Sequence, residues 1–144
     1  MAEERNDLYN IIRASFSLEE CVPEQVSPLI LAHLGDTVYE VVVRTVVDTR
    51  SNRQIAKVHR EIVQYVKAEA QSRIITALEP ELTEEELTVY HKGKNAHTNT
   101  FPKNGTKADY HRATGFEALI GYLYLKGRTE RMLELISKGM ETVG

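Results

Sequence analysis

The segment from Pro28 to Val47 constrains this chain more than any other. Wound as a helix, Leu29, Ile30, Leu31, Leu34, Val38, Val41, Val42, Val43, Val46 and Val47 leave it only a narrow polar edge. A helix apolar nearly all round is normally a central core helix. Ser27-Pro28 supplies a capping residue and a proline at the first helical position, and the pattern runs to about Asp48. The valine-rich end reads locally as strand, but the length of the run and the mixed periodicity after it favour helix. In its middle stand Gly35 and Asp36. An interior Gly costs about 1 kcal/mol against Ala, and an uncompensated buried carboxylate costs far more. Two such penalties side by side point to a site. The plainer reading has Gly35 allowing a close helix crossing while Asp36 reaches the surface.

The rest of the chain also reads as helix. A short helix around Leu8 to Phe16 precedes a loop containing Pro23. Ser51-Asn52-Arg53-Gln54 has the form of a capping box. Beyond it Ile55, Val58, Ile62, Val63, Val66, Ala70, Ile74 and Ile75 recur at three- and four-residue spacing, which predicts one or two amphipathic helices from about 52 to 78. Glu79-Pro80 ends that segment. Thr83-Glu84-Glu85-Glu86 forms another capping box, so its acids read as helix-start chemistry for a helix over about 84–92 and not as a metal site. Residues 91–107 hold two Gly, a Pro, four Lys and no acid, and predict an irregular loop. Thr106-Lys107-Ala108-Asp109 caps a helix over about 107–126, which is again apolar nearly all round. It carries Glu117 in its middle, with Gly115 and Gly121 to admit a neighbouring helix. Gly127 suits a C-terminal cap, and Thr129 opens a last helix through Met132, Leu133, Leu135 and Ile136. The expectation is an all-α fold, with residues 1–26 as an N-terminal extension and 27–144 as one domain.

Composition narrows the function classes. The 144 residues are 42% hydrophobic and 27% charged, ordinary for a soluble domain with a real core. A net charge of −3 argues against nucleic-acid binding by bulk charge, yet leaves room for a local basic surface. The single Cys21 forms no internal disulfide and fits a reducing cytosol. The first 17 residues are broken by charges and lack an apolar signal core, and the longest apolar stretches are interrupted by Asp36, Glu40 and Arg44. A cytoplasmic protein without a membrane span is expected.

Two unusually apolar helices each carry a carboxylate beside glycine. If they cross at those glycines, Asp36 and Glu117 meet. Two carboxylates at one spot repel unless one protonates or a cation lies between them. Oxygen-only ligation suits a hard cation such as Mg²⁺, which keeps several waters and is shared with substrate phosphate. Glu40, one turn beyond Asp36, reads as a structural partner for a nearby Arg ahead of an outer ligand. His33, three residues before Asp36, shares its helix face. A glycosidase acid–base pair is the competing chemistry, but there is no Trp and no sign of a sugar cleft. His59, His91, His97 and His111 lack paired metal-ligand spacing, so zinc is not expected. Neither a phosphate-binding Gly-rich loop nor a nucleophile triad is present. The basic segment favours a polyanionic substrate whose phosphates are held by Lys and loop amides without reading base sequence.

Leu34-Gly35-Asp36-Thr37-Val38-Tyr39-Glu40 resembles the signature of the ribonuclease III catalytic domain, and Phe116-Glu117-Ala118-Leu119-Ile120-Gly121-Tyr122-Leu123-Tyr124-Leu125 resembles that family's second metal-binding helix. Tyr65-Val66-Lys67-Ala68-Glu69-Ala70, Lys92-Gly93-Lys94-Asn95-Ala96 and Pro102-Lys103-Asn104 are similar to the short Mini-III branch, and the resemblance covers roughly residues 27–141. It implies a dimeric helical bundle of the ribonuclease III endonuclease type that cuts double-stranded RNA with Mg²⁺, or Mn²⁺ in its place, leaving 5′-phosphate and 3′-hydroxyl ends. It further implies Asp36 and Glu117 as the catalytic, metal-binding carboxylates, and precursor 23S ribosomal RNA as the bacterial substrate. Lys92, Lys94, Asn95, Lys103, Asn104 and Lys107 are the expected RNA contacts. The alternative is a non-catalytic double-stranded-RNA-binding or ribosome-assembly module of the same fold. The larger enzymes have acids where this chain has Leu29, Ala32 and Thr114, and fewer anionic ligands hold fewer cations. With no length left for an appended RNA-binding domain, affinity is expected to come from the dimer and its loops and to be salt-sensitive.

Overall fold

A computed structural model of the protein describes residues 7–50, 52–96 and 106–143, and among them it is all helical. Seven α-helices follow one another: α1 (Leu8–Ser15), α2 (Pro28–Asp48), α3 (Ile55–Val66), α4 (Ala68–Leu78), α5 (Glu84–Lys94), α6 (Lys107–Leu125) and α7 (Thr129–Val143). Single 3₁₀ turns occupy Pro23–Gln25 and Glu79–Glu81.

α6 is the hub against which α2, α4, α5 and α7 all pack. From Ala113 to Leu123 every residue of it is buried except Glu117, which is half-buried. α2 differs from the expectation of a central core helix. Its buried positions are Leu31, Gly35, Tyr39, Val43 and Val47, a narrow stripe at four-residue spacing, with Ala32 beside it. Ile30, Val41 and Val46 stand exposed on other faces. Apolar composition all round does not distinguish a helix buried by its own chain from one that keeps an uncovered face.

The contact between α2 and α6 is made by backbone. A Cβ on Gly35 would overlap the Glu117 carbonyl oxygen and stand 2.7 Å from the Gly121 nitrogen, and a Cβ on Gly121 would overlap the Leu31 carbonyl oxygen. Gly115, in contrast, faces α5, where a Cβ would come within 2.7 Å of the Tyr90 ring.

Two boundaries and one cap depart from the sequence reading. α3 begins at Ile55, after an uncapped Gln54, and Asn52 to Gln54 lie outside the helix; Ser51 falls outside the described residues. The Arg53 guanidinium instead reaches back to the Val47 carbonyl at 3.3 Å and to Glu61 at 2.6 Å, tying this connection to the end of α2. α5 runs on through His91, Lys92, Gly93 and Lys94, where loop was expected. Its Gly93 lies so close to α6 that a Cβ would stand 2.6 Å from the Ala118 Cβ. Tertiary contact thus offsets the helix cost of that glycine, and the basic residues sit at the negative end of the helix dipole. Ser27 starts α2 without a side-chain cap bond. The Thr83–Glu86 box and the Thr106 cap form as the sequence indicates.

Polar ties hold the periphery. Buried Glu86 takes a fork of two 2.9 Å bonds from Arg131 of α7, which hold its carboxyl below the usual range. Tyr9 of α1 packs on Tyr124, and Glu24 reaches the Tyr122 hydroxyl at 2.7 Å and Lys126 at 2.8 Å, so the N-terminal segment docks on α6.

Gly35→Ala forces backbone apart where nothing flexible yields. It is expected to destabilise the protein by about 3 kcal/mol, roughly 10 °C in Tm for a domain of this size. Thermal unfolding followed by circular dichroism checks this, and a loss under about 2 °C contradicts the crossing.

Candidate active site

Gly35 and Gly121 draw α2 and α6 together one residue away from Asp36 and one turn from Glu117. The two carboxyls meet there and share a hydrogen bond. Asp36 is exposed and Glu117 half-buried, so the burial cost read from the sequence falls on Glu117 and not on Asp36. Burial first, then the charge and hydrogen bond of Asp36, push the Glu117 carboxyl up to about 9. At neutral pH the Glu117 carboxyl therefore keeps its proton beside the oxygens of Asp36.

A break between two helices shapes the floor of the site. α3 and α4 are separated at Lys67, whose extended backbone (φ −67°, ψ 154°) leaves carbonyls of the preceding turn without helical N–H partners. Two side chains take them up. The buried Tyr39 hydroxyl donates to the Tyr65 carbonyl at 2.7 Å, with its ring edge-on to Phe116 at 5.2 Å. The Gln71 amide donates from Nε2 to the Val66 carbonyl at 2.8 Å and to Glu117 Oε2 at 3.2 Å. The bond from Gln71 opposes the upward shift of Glu117.

Gln71 was not among the sequence candidates. Its signal lay in register: it sits three and four residues before Ile74 and Ile75, a polar residue on the buried face of α4, and is 1% exposed. Both amide protons are engaged, but Oε1 is buried with no hydrogen-bond partner among the described residues. Such an acceptor costs about 1–3 kcal/mol unless a donor reaches it.

The other sequence candidates are placed as follows. Glu40 pairs with Arg44 at 2.7 Å along α2, the structural role favoured for it. His33 is exposed. Lys92 and Lys94 lie in the last turn of α5, Asn95 caps that helix, and Lys107 opens α6. Lys103 and Asn104 lie outside the described residues, as does His97. Of the three positions where larger enzymes carry acids, Leu29 is half-buried and Ala32 and Thr114 are buried, the Thr114 hydroxyl spent on the Tyr110 carbonyl at 3.0 Å. No group of three or more His, Cys, Asp or Glu side chains suited to a metal occurs among the described residues. The donor set is the Asp36–Glu117 pair, backed by an orphaned acceptor. Two carboxylates that now share a proton, one of them open to solvent, fit a hydrated hard cation better than a soft metal.

Comparison with known proteins defines the class. The Ribonuclease III domain model matches residues 29–128, and the chain belongs to the ribonuclease III family. Within that family its relatives are proteins named Mini-ribonuclease 3. That of Clostridium tetani is 43% identical over 114 residues, spanning 78% of this chain and 76% of the relative. That of Thermoanaerobacter sp. is 40% identical over 81% of this chain and 82% of its own. Among solved structures, a Fusobacterium nucleatum protein superposes with a TM-score of 0.73 at 31% identity, covering 78% of this chain and 90% of that one.

Glu117→Gln replaces a proton-holding carboxyl by a neutral group that keeps the acceptor facing Gln71. A carboxyl raised in the folded state contributes most below the unfolded value, 4.5, and loses that contribution as pH rises toward 9. In metal-free buffer the variant is therefore expected to gain on the order of 1 kcal/mol over the wild type at pH 8, about 3 °C in Tm, and nothing at pH 4.5. Melting curves at both pH values decide it; an equal effect at the two removes the shared proton from the account.

Proposed function

We propose that this chain is a Mg²⁺-dependent, double-strand-specific endoribonuclease acting as a homodimer. The observation that carries the reading is the meeting of Asp36 and Glu117 at a glycine crossing, in a chain of the ribonuclease III family. Asp36 and Glu117 hold the cation, and Mn²⁺ substitutes for Mg²⁺. When bound, the ion neutralises phosphate charge and lowers the pKa of the attacking water. Water attack at phosphorus breaks the bond to the 3′-oxygen, which leaves with a proton; the products carry 5′-phosphate and 3′-hydroxyl ends.

The chain's own residues do the rest. Exposed Asp36 faces the substrate, while Gln71 and the burial around it keep Glu117 from turning away. Lys92 and Lys94 at the end of α5, Asn95, and Lys107 at the start of α6 bracket the same connection and supply cationic and amide contacts to phosphate. Lys103 and Asn104 complete that set on the sequence pattern alone. Contacts of this kind read an A-form duplex by shape and 2′-hydroxyls and not by base sequence. The biological substrate we assign is precursor 23S ribosomal RNA, matured in the cytoplasm. No described helix is long and apolar enough to cross a membrane.

Dimerisation would cover apolar side chains that α2 and α7 leave exposed. Ile30, Val41 and Val46 are 60%, 53% and 36% exposed, and Leu133 of α7 is 42% exposed. Covering apolar area of this kind with a second copy stabilises by roughly 25 cal/mol per Å². Two copies put two sites on one duplex, one for each strand.

Asp36→Asn and Glu117→Gln are each expected to lower cleavage of a long RNA duplex in Mg²⁺ by about a thousandfold, the kinetic equivalent of roughly 4 kcal/mol, with duplex binding retained in gel-shift assays. Unchanged product lengths from either variant sink the assignment. Duplex binding by the wild type without any cleavage favours the binding-module alternative. Val41→Asp is expected to move the sedimentation coefficient to that of a monomer and to reduce double-strand cleavage with it; an unaltered dimer places the interface elsewhere.

A further inference from the structure

The Gln71 side chain carries a buried atom that the fold does not use. Its Nε2 protons are committed to the Val66 carbonyl and to Glu117 Oε2. Flipping the amide would set Oε1 against those same two acceptors, so its orientation is fixed by chemistry. Oε1 then accepts only, needs an N–H or O–H, and has none among the described residues. The neighbouring side chains of the site, Glu117 and beyond it Asp36, present oxygens, and the proton that Glu117 holds is engaged with Asp36. The missing donor is therefore something the site takes up.

Water in the shell of a divalent cation meets that need. Its oxygen faces the ion and its hydrogens face outward, which makes it a donor toward the protein. Mg²⁺ held by two carboxylates keeps several such waters, and partners one step removed from the ion orient its ligands. We propose that Gln71 is a positioning residue of the cation site, with Nε2 fixing the Glu117 carboxylate and Oε1 accepting a hydrogen bond from the hydration shell. The proposal rests on the reading of Asp36 and Glu117 as the cation-holding pair. It assigns Gln71 a role that its burial alone would have ascribed to packing.

Calorimetric titration of the metal-free protein with Mg²⁺, beside metal-free melting curves, tests this without a cleavage assay. Gln71→Met keeps the volume and removes donor and acceptor. It is expected to weaken Mg²⁺ binding about ten- to 100-fold while changing the metal-free Tm little, since relief of the unsatisfied Oε1 offsets the lost bond to the Val66 carbonyl. Gln71→Leu removes the same donor and acceptor with a branched side chain of similar size and is expected to weaken Mg²⁺ binding by a similar factor. If Gln71→Met binds within about twofold of wild type and only its metal-free Tm falls, Gln71 is structural and the proposal is overturned. If Gln71→Met does not fold, Gln71→Leu decides, and Mg²⁺ binding within about twofold of wild type there overturns it. Failure of the pair itself reads differently: the wild type then binds no Mg²⁺ and Asp36→Asn titrates identically to it, which withdraws the cation reading and this proposal together.

Discussion

Everything in this protein depends on two helices meeting backbone to backbone. Gly35 of α2 and Gly121 of α6 leave no space for a Cβ on either side. That proximity brings an exposed aspartate against a half-buried glutamate. It also explains why each helix tolerates a glycine in its interior, where the residue costs about 1 kcal/mol against alanine. Close packing of the two backbones and electrostatic strain at the pair are one arrangement seen from two sides.

The rest of the fold supplies what the pair lacks. The break at Lys67 is the second element of the site, because it exposes two carbonyls that Tyr39 and Gln71 then take up. Tyr39 spans three helices by doing so, anchoring α2 to the end of α3 and to Phe116 of α6. Gln71 connects the same break directly to Glu117. A helix interruption that would weaken an isolated hairpin here becomes the means of holding a carboxylate in place. Farther out, the Arg131 fork on buried Glu86 locks α5 to α7, and Lys92 and Lys94 are carried on a helix end instead of on an irregular loop.

Helix positions were largely legible in the sequence because caps and apolar spacing are local properties. Thr83–Glu86 and Thr106 act as local chemistry indicates. The misreadings share one cause. α5 outruns its expected end because Gly93 is paid for by contact with Ala118, and α3 starts late because Arg53 is engaged by Glu61 and Val47. In each case a partner distant in sequence overrode a local preference. α2 looked like the central helix and α6 is, since hydrophobic content alone does not say which faces a single chain covers.

The helical class and most helix starts follow from the sequence, which also singles out the two carboxylates that meet at the crossing, because a glycine and an acid inside an apolar helix are costly and so are informative wherever they stand. Only the packed helices settle that Asp36 stays exposed while Glu117 carries the burial, that Glu40 turns to Arg44, and that Gln71 reaches Glu117. The reason is physical. Which side chain loses its water, and which acceptor is left without a donor, depends on residues from four helices meeting at one point, and no window along the chain contains them all.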